Sequence, residues 1–247
     1  MQEKKERYWF IDGIRGFAIV NMVLFHFFYD YYMIYGKNTA WYFAPQIRFW
    51  QQSICWTFIF IAGFVWQLGK KGNLKRGLFL NFCGLLVTLV TWLSAPKNAA
   101  WFGILNFMGC AILLMLLFHK LLIKIEVHVG MVVSFCCFLF FKNIDMGYLG
   151  IGDIVLFKLP RWLYDIKLLT PLGFPYPGFV SSDYFPIFPW FFLFLTGYYF
   201  YVIFKEKTKW HSLACKPVPI LSKIGTKSIW IYLLHQPLAM LLCEVLI

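Results

Sequence analysis

Residues 11–35 read IDGIRGFAIVNMVLFHFFYDYYMIY, an apolar run interrupted by only a few polar side chains. A helix needs about 20 apolar residues to cross a hydrocarbon core about 30 Å thick. The run has that length, and it does not alternate polar and apolar residues as a strand of a membrane barrel does. It therefore predicts a first membrane-spanning α-helix.

Six further runs of the same kind follow along the chain. Of the 247 residues, 61% are hydrophobic and only 14% are charged, which is outside the range of ordinary soluble domains. A helix satisfies its own backbone hydrogen bonds in lipid, so helices are favoured over open strands. The sequence predicts an all-α, polytopic membrane bundle of about seven helices, forming one domain over residues 1–247. The predicted spans are 11–35, 48–69, 77–94, 102–122, 127–141, 185–204 and 227–247.

The distribution of Lys and Arg predicts the orientation of this bundle. Cytoplasmic loops carry an excess of these residues, and 16 of the 23 lie on the side of the N-terminus. The N-terminus is therefore predicted to be cytoplasmic. The net charge of +12 is explained by an anionic inner leaflet, without nucleic acid as a partner. Six of the seven Cys lie in apolar runs, which indicates neither a disulfide framework nor a metal site.

The longest loop between runs is predicted to form a cap on the outer face. It extends over 42 residues from Lys142 to Asp183 and is rich in Gly, Pro, Trp and Tyr. A loop of that length is usually functional or disordered, and its aromatic content argues against disorder. We expect an interfacial helix near Ile154–Leu169.

The first run carries an unusual polar load for a membrane helix: Asp12, Arg15, Asn21, His26 and Asp30. Such residues indicate a functional site by default. Eleven steps along a helix bring His26 to within about 20° of the face of Arg15, about 16 Å away. Asp30 follows His26 by four residues, so its carboxylate is predicted to orient the imidazole as a base. Alternatively, Arg15 reaches the inner interface, and His26 and Asp30 only bond to neighbouring helices.

The last run repeats this pattern. Ser228, Tyr232 and His235 have the spacing i, i+4, i+7, which places them on one helical face. A role in joining this helix to a neighbour is the alternative. Asn106 lies near the outer end of the fourth run. The other three histidines are expected to be solvated at or beyond the interfaces: His119, His128 and His211.

Residues 11–30, IDGIRGFAIVNMVLFHFFYD, resemble the opening signature of the heparan-alpha-glucosaminide N-acetyltransferase catalytic family in its short bacterial form. The motif of an Arg and a His separated by ten residues is also similar to that of bacterial sugar O-acyltransferases. The resemblance covers nearly the whole chain. Its other parts are FGIL at 102–105, DYFP at 183–186 with PWF at 189–191, and GTKSIWIYLLHQP at 225–237.

This resemblance implies acyl transfer from cytoplasmic acetyl-CoA to an amine or hydroxyl of a glycan or amino sugar, across the cytoplasmic membrane of a bacterium. Acetyl-CoA is anionic at its nucleotide end and reactive at the end of a long arm. A basic inner mouth leading to a base within the membrane suits that shape. Arg15 is predicted to supply the mouth, and His26 to accept a proton from the acceptor. The phosphates are predicted to bind Lys70, Lys71, Lys75 and Arg76.

The acceptor is predicted to contact polar and aromatic side chains nearer the outer face. Asn106 stands where many relatives are expected to have a His, which weakens any role for that position. Aromatic faces of the 142–183 loop and of the following helix suit stacking on a sugar. The predicted substrate-binding residues are Asn106, Trp190, Ser228, Tyr232 and His235.

Two other classes of function compete with a transferase. A proton-coupled transporter or flippase would use intramembrane His and Asp as a proton relay. That class predicts an internal repeat, and we find none in the sequence. A purely structural membrane subunit would not carry so many polar groups inside its spans. The identity of the acceptor and the formation of a homo-oligomer are left open.

The predicted topology leads to a labelling experiment in intact cells. In variants with a single cysteine, a cysteine introduced into the 142–183 loop should react with an impermeant maleimide, because the loop lies outside. Cys215, in a predicted cytoplasmic loop, should be protected. Labelling of Cys215 from outside would invert the topology, and a C-terminal reporter active only in the cytoplasm would mean an even number of spans.

Overall fold

The computed structural model describes residues 7–205 and 212–246. The basic residues Lys4, Lys5, Lys207 and Lys209, and also His211, lie outside the described residues. The described chain forms two compact units. The first unit comprises the chain up to Ile61 and from Phe204 onward, and the second comprises Ala62–Ile203. The prediction of a single domain stays a prediction.

The described elements are mainly helices of membrane-spanning length. A π-helical turn, Asp30–Ile34, continues α1, and 3-10 turns lie at Thr39–Phe43, Lys70–Gly72 and Lys167–Leu172. In chain order the elements are α1 (Trp9–Tyr29), α2 (Pro45–Phe64), α3 (Asn73–Ser94), α4 (Ile104–Leu122), α5 (Val127–Phe141), β1 (Tyr148–Ile151), β2 (Ile154–Lys158), α6 (Trp162–Asp165), α7 (Ile187–Phe204), α8 (Leu221–Thr226) and α9 (Ser228–Leu246).

Six described helical segments are long and apolar enough to cross a membrane. They confirm the all-α membrane bundle and correspond to six of the seven predicted runs. The remaining run forms α2, which is 20 residues long but less apolar, because Arg48, Gln51 and Gln52 lie in its first half. The six segments are Trp9–Ile34, Lys70–Ser94, Ile104–Leu122, Val127–Met146, Ile187–Phe204 and Ser228–Leu246.

In the first unit, glycines bring α1 and α8 into backbone contact. A Cβ atom added at Gly16 would lie 1.9 Å from the carbonyl oxygen of Leu221, and one added at Gly225 would lie 1.8 Å from that of Asp12. The hydroxyl of Ser222 donates to the carbonyl of Trp9 at 2.7 Å. Small residues at helix interfaces allow this approach in membrane proteins. The two glycines therefore fix the position of α8 against the start of α1.

In the second unit, α3 and α4 pack closely through the same device. An added Cβ at Gly84 would meet the side chain of Asn106 at 2.5 Å, and one at Gly109 would meet Asn81 at 2.3 Å. The amide of Asn106 donates to the carbonyl of Asn81 at 3.3 Å. Amide side chains thus fill the space that the glycines leave.

The segment after α5 contradicts a single interfacial helix near Ile154–Leu169, although its later part contains α6 and the 3-10 turn Lys167–Leu172. Its first part is the strand β2, which pairs antiparallel with β1. Gly152 has a φ of 58°, a left-handed conformation that glycine adopts without strain, and it forms the turn between the strands. An added Cβ at Gly150 would lie 1.9 Å from the carbonyl of Ile154, at the bulge of the hairpin. A tight glycine turn followed by β-branched residues favours a strand over a helix.

The end of the same segment is bound to the start of α4. Asp183 accepts the backbone N–H of Ile104 at 3.0 Å, which satisfies a free donor at the helix N-terminus. The hydroxyl of Ser181 accepts from the N–H of Trp101 at 2.9 Å and donates to its carbonyl at 3.0 Å. The backbone N–H of Phe185 donates to the carbonyl of Phe102 at 3.0 Å. Residues 181–185 therefore fasten the segment to the 101–104 turn.

The contact between α1 and α8 gives a test of the fold. Gly16→Ala should lower the free energy of unfolding of the purified protein by about 1–3 kcal/mol, because the new methyl group overlaps a backbone atom that cannot move alone. Unfolding in detergent, followed by intrinsic fluorescence, measures the change. Gly72→Ala is the matched control, since an added Cβ at Gly72 meets no atom within 4 Å. Equal stability of both variants would contradict the backbone contact.

Candidate functional site

The N-terminal end of α1 holds a buried carboxylate between two guanidinium groups. Asp12 accepts from Nε of Arg7 at 2.6 Å and from Nη1 of Arg15 at 3.0 Å. The side chain of Asp12 is 9% exposed, against 22% for Arg15 and 50% for Arg7. The three groups carry one net positive charge. Arg15, predicted to contact the donor nucleotide, is therefore held in place by the residue one turn before it.

The other end of α1 brings two imidazole rings together. The ring centroids of His26 in α1 and His235 in α9 are 4.6 Å apart, with the rings at 67° to each other. The sequence predicted a role in the site for each residue separately, and it did not predict that the two rings are in contact. The structure places them in contact in the first unit, which makes this pair the centre of the candidate site.

Asp30 is also at this centre, but its contact is not the predicted one. Its carboxylate is fully buried, and Nε2 of Gln236 donates to both of its oxygens at 3.0 Å. Among the described residues, no hydrogen bond joins Asp30 to the ring of His26. Asp30 begins the π-helical turn, at the end of the regular α-helical spacing on which that prediction relied. Gln236 also interacts with the ring of His26, so it connects the two residues.

The ring of His235 is oriented by its own helix. Its Nδ1 lies 2.5 Å from the carbonyl oxygen of Tyr232, one turn earlier. The rings of Tyr232 and His235 also contact each other, with their centroids 5.4 Å apart. Ser228 is the first residue of α9 and is half-buried. The substrate-binding roles of these residues stay predictions.

The basic residues predicted to bind phosphates lie in the second unit. Lys70 and Lys71 are in the 3-10 turn before α3, and Lys75 and Arg76 are in its first turn. The three lysines are exposed and Arg76 is half-buried. Asn73, between them, is fully buried and donates to the carbonyl of Trp66 at 2.9 Å. The bond of Asn73 therefore fixes the turn to the protein interior, while the three lysines remain accessible to solvent.

Two residues predicted to bind the acceptor are buried in the second unit. Asn106 is buried between α3 and α4 against Gly84 and Asn81. Trp190 is buried beside the rings of Phe138 and Phe185, at centroid distances of 5.6 and 5.1 Å. Their roles in substrate binding stay predictions.

Two tyrosines, Tyr164 within the 142–183 segment and Tyr184 directly after it, are bound to backbone carbonyls of that segment rather than presented to a ligand. The hydroxyl of Tyr164 donates to the carbonyl of Ile144, and that of Tyr184 donates to the carbonyl of Thr170 at 2.5 Å. Burial raises the pKa of both phenols above their ordinary value, so they remain protonated donors at neutral pH. Trp162, by contrast, is 59% exposed and free to stack on a ligand.

Sequence reasoning missed two polar residues of the structure. Gln236 lies in the 225–237 stretch of the resemblance, but no spacing rule links it to Asp30, 206 positions earlier. His119, expected to be solvated, packs on the indole of Trp66 at a centroid distance of 4.9 Å. Contacts between distant parts of the chain leave no periodic signal within one helix.

Comparison with known proteins identifies a family for this chain. The family model described as heparan-alpha-glucosaminide N-acetyltransferase, catalytic, matches residues 7–237. The matched range includes the imidazole pair, Asp30 with Gln236, and the basic turn before α3. Searches of curated proteins and of solved structures found no match.

The bond between Asp30 and Gln236 gives a test of the site's construction. Gln236→Leu should destabilise the protein by about 1–3 kcal/mol, because it leaves a buried carboxylate without its donors. Replacing both partners, as Asp30→Leu with Gln236→Leu, should recover most of that loss. Thermal unfolding of the four proteins of this double-mutant cycle gives the coupling energy. Gln46→Leu, at an exposed position of α2, is the control; additive effects at residues 30 and 236 would contradict the contact.

Proposed function

Because the chain belongs to the heparan-alpha-glucosaminide N-acetyltransferase catalytic family, we propose that it moves an acetyl group from cytoplasmic acetyl-CoA to an amine or hydroxyl at the outer side of the membrane. The acceptor is a sugar or amino sugar. The membrane is the cytoplasmic membrane of a bacterium. Transfer between the two sides requires a reacting centre inside the bilayer.

The imidazole pair is the observation that carries this proposal. Both rings lie within the matched residues, and they come from the first and last described helices of the chain. Their centroid distance of 4.6 Å lets both rings face one reacting group. An imidazole is the commonest base in enzymes because its ordinary pKa lies near neutral pH. A helix bundle held together only for packing has no need of two histidines in contact.

The reaction needs a group that first accepts a proton from the acceptor and then donates it to the leaving thiolate. The nitrogen or oxygen of the acceptor attacks the thioester carbonyl, and its proton passes to an imidazole. The carbon–sulfur bond then breaks, and the proton passes on to the leaving thiolate. The products are the acetylated acceptor and CoA, with no net proton gained or lost by the pair. Sequence reasoning assigned the base to His26, and that role is part of the proposal.

Basic groups support the assignment of an anionic donor. Arg15 is largely buried and keeps further guanidinium donors beyond the one bonded to Asp12. The exposed lysines of the turn before α3 are suited to the phosphates of the nucleotide. In the predicted topology both groups lie on the cytoplasmic side, where acetyl-CoA is available.

A proton-coupled transporter would use the same histidines and Asp30. The family match favours group transfer, since the matched family is described by an acetyltransferase activity. The two functions differ in an observable way, because only a transferase consumes acetyl-CoA and releases CoA.

Donor binding tests the proposal. Arg15→Ala should weaken acetyl-CoA binding by about 10- to 100-fold, as expected for the loss of a charge-assisted hydrogen bond. The fold should survive, because Arg7 still neutralises Asp12. Isothermal titration calorimetry on the purified protein in nanodiscs measures the affinity.

Arg7→Ala is the matched control, since it removes the other guanidinium group of the same carboxylate. Its affinity for acetyl-CoA should stay within about threefold of that of the original protein, which is a difference in binding free energy below about 0.7 kcal/mol. If the original protein bound neither acetyl-CoA nor CoA, the acyltransferase proposal would be wrong. If Arg7→Ala and Arg15→Ala lost affinity equally, the effect would belong to Asp12 and not to the donor.

A further inference from the structure

One ring nitrogen of the imidazole pair is buried without a hydrogen-bond partner. His235 is 8% exposed, and its Nε2 makes no hydrogen bond with any residue that the structure describes. A buried polar atom without a partner costs about 1–3 kcal/mol, and most native proteins avoid it. Exceptions concentrate at sites where the atom has a chemical task.

The other nitrogen of the same ring fixes its tautomer. Nδ1 lies 2.5 Å from the carbonyl oxygen of Tyr232. A carbonyl oxygen can only accept, so in this contact the proton is on Nδ1. In the neutral ring, Nε2 then carries the lone pair and is the basic atom. A second group that holds Nδ1–H in place, leaving Nε2 to accept a proton, is the arrangement found in hydrolytic triads, where a carboxylate plays the part of this carbonyl.

From this geometry we infer that His235 is the group that takes the proton from the acceptor, through Nε2. The inference rests on the proposed acetyl transfer. His26 was assigned this role from sequence alone. Among the described residues, however, no backbone carbonyl accepts from the ring of His26. Its tautomer is therefore not fixed in the way that the carbonyl of Tyr232 fixes that of His235.

The step assigned to His235 balances without any further reactant. As the acceptor's oxygen or nitrogen bonds to the thioester carbon, its proton moves to Nε2 of His235. The resulting cation is stabilised by the Nδ1–H bond to Tyr232. The same proton then leaves Nε2 for the thiolate of CoA, which restores the neutral ring.

Substitutions that separate the two ring nitrogens test this role. In His235→Asn, the side-chain amide can keep the bond to the carbonyl of Tyr232, but nothing replaces Nε2. We expect kcat for transfer from radiolabelled acetyl-CoA to methyl α-glucosaminide to fall about 100-fold or more, the usual contribution of a general base. Affinity for acetyl-CoA should not change. His235→Gln, which keeps more of the side-chain volume, replaces the first variant if that protein does not purify.

Two further variants give the comparison. His119→Asn is the matched control, because His119 in α4 also has a buried Nε2 without a partner among the described residues, but its ring lies on an indole. Its kcat should stay within about threefold. His26→Asn tests the competing assignment. If His26→Asn lost the transfer step while His235→Asn retained it, the inference would be overturned and the proposed function would stand. If the original protein neither bound nor consumed acetyl-CoA, the proposed function would fail first.

A spectroscopic measurement tests the same inference without any acceptor. Solid-state NMR on protein labelled with ¹⁵N at the histidine rings separates protonated from unprotonated ring nitrogens, and the difference spectrum against His235→Asn assigns His235. We expect a protonated Nδ1 and an unprotonated Nε2 at neutral pH. The opposite tautomer would overturn the inference even if methyl α-glucosaminide is not a substrate.

Discussion

A hydrocarbon environment offers no water to polar side chains, so each one inside a span must find its partner within the protein. The polar groups of α1 obey this constraint one after another. Asp12 bonds to Arg7 and Arg15, Asn21 accepts from the indole of Trp50 at 3.0 Å, and Asp30 bonds to Gln236. The bond of Asn21 joins α1 to α2, and the bonds of Asp30 join its π-helical continuation to α9. His235 is different, since the basic nitrogen of its ring has no such bond. In the described part of the first unit, the candidate site thus contains a buried polar atom that has no hydrogen-bond partner.

The sequence predicted those features that depend on local composition. Continuous apolar runs identified the helices, and the polar load of residues 11–30 identified α1 as a helix of the candidate site. Features that depend on contacts between distant residues were not predictable. The i, i+4 rule assigned Asp30 to His26, but a residue in another helix bonds to it instead. The 154–169 region was predicted as a helix from its apolar content, whereas the glycines at 150 and 152 turn its first part into a hairpin.

The motifs shared with the family divide into two kinds when they are placed in the structure. The FGIL and DYFP stretches contribute Gly103 and Asp183 to the turn that begins α4, and their bonds there are structural. The glycines of the first motif serve helix packing in the same way. The positions proposed for the chemistry are few: His26 in α1, Asp30 in the π-helical turn that continues it, and His235 with Gln236 in α9. The presence of a residue in such a motif is therefore a weak guide to its role. The hydrogen-bond partner of its side chain is a better guide.

The pairing of the first and last helices has a consequence for how the protein is made. His26 and His235 are 209 positions apart in the chain. At about 5–20 residues per second, the ribosome needs roughly 10–40 s to synthesise the chain between them. During that time α1 is already available for insertion, while Gln236 does not yet exist to bond with Asp30. The carboxylate of Asp30 and the imidazole of His26 therefore enter the membrane before α9 can contact them. The site is completed only after residues 228–246 have been synthesised and inserted.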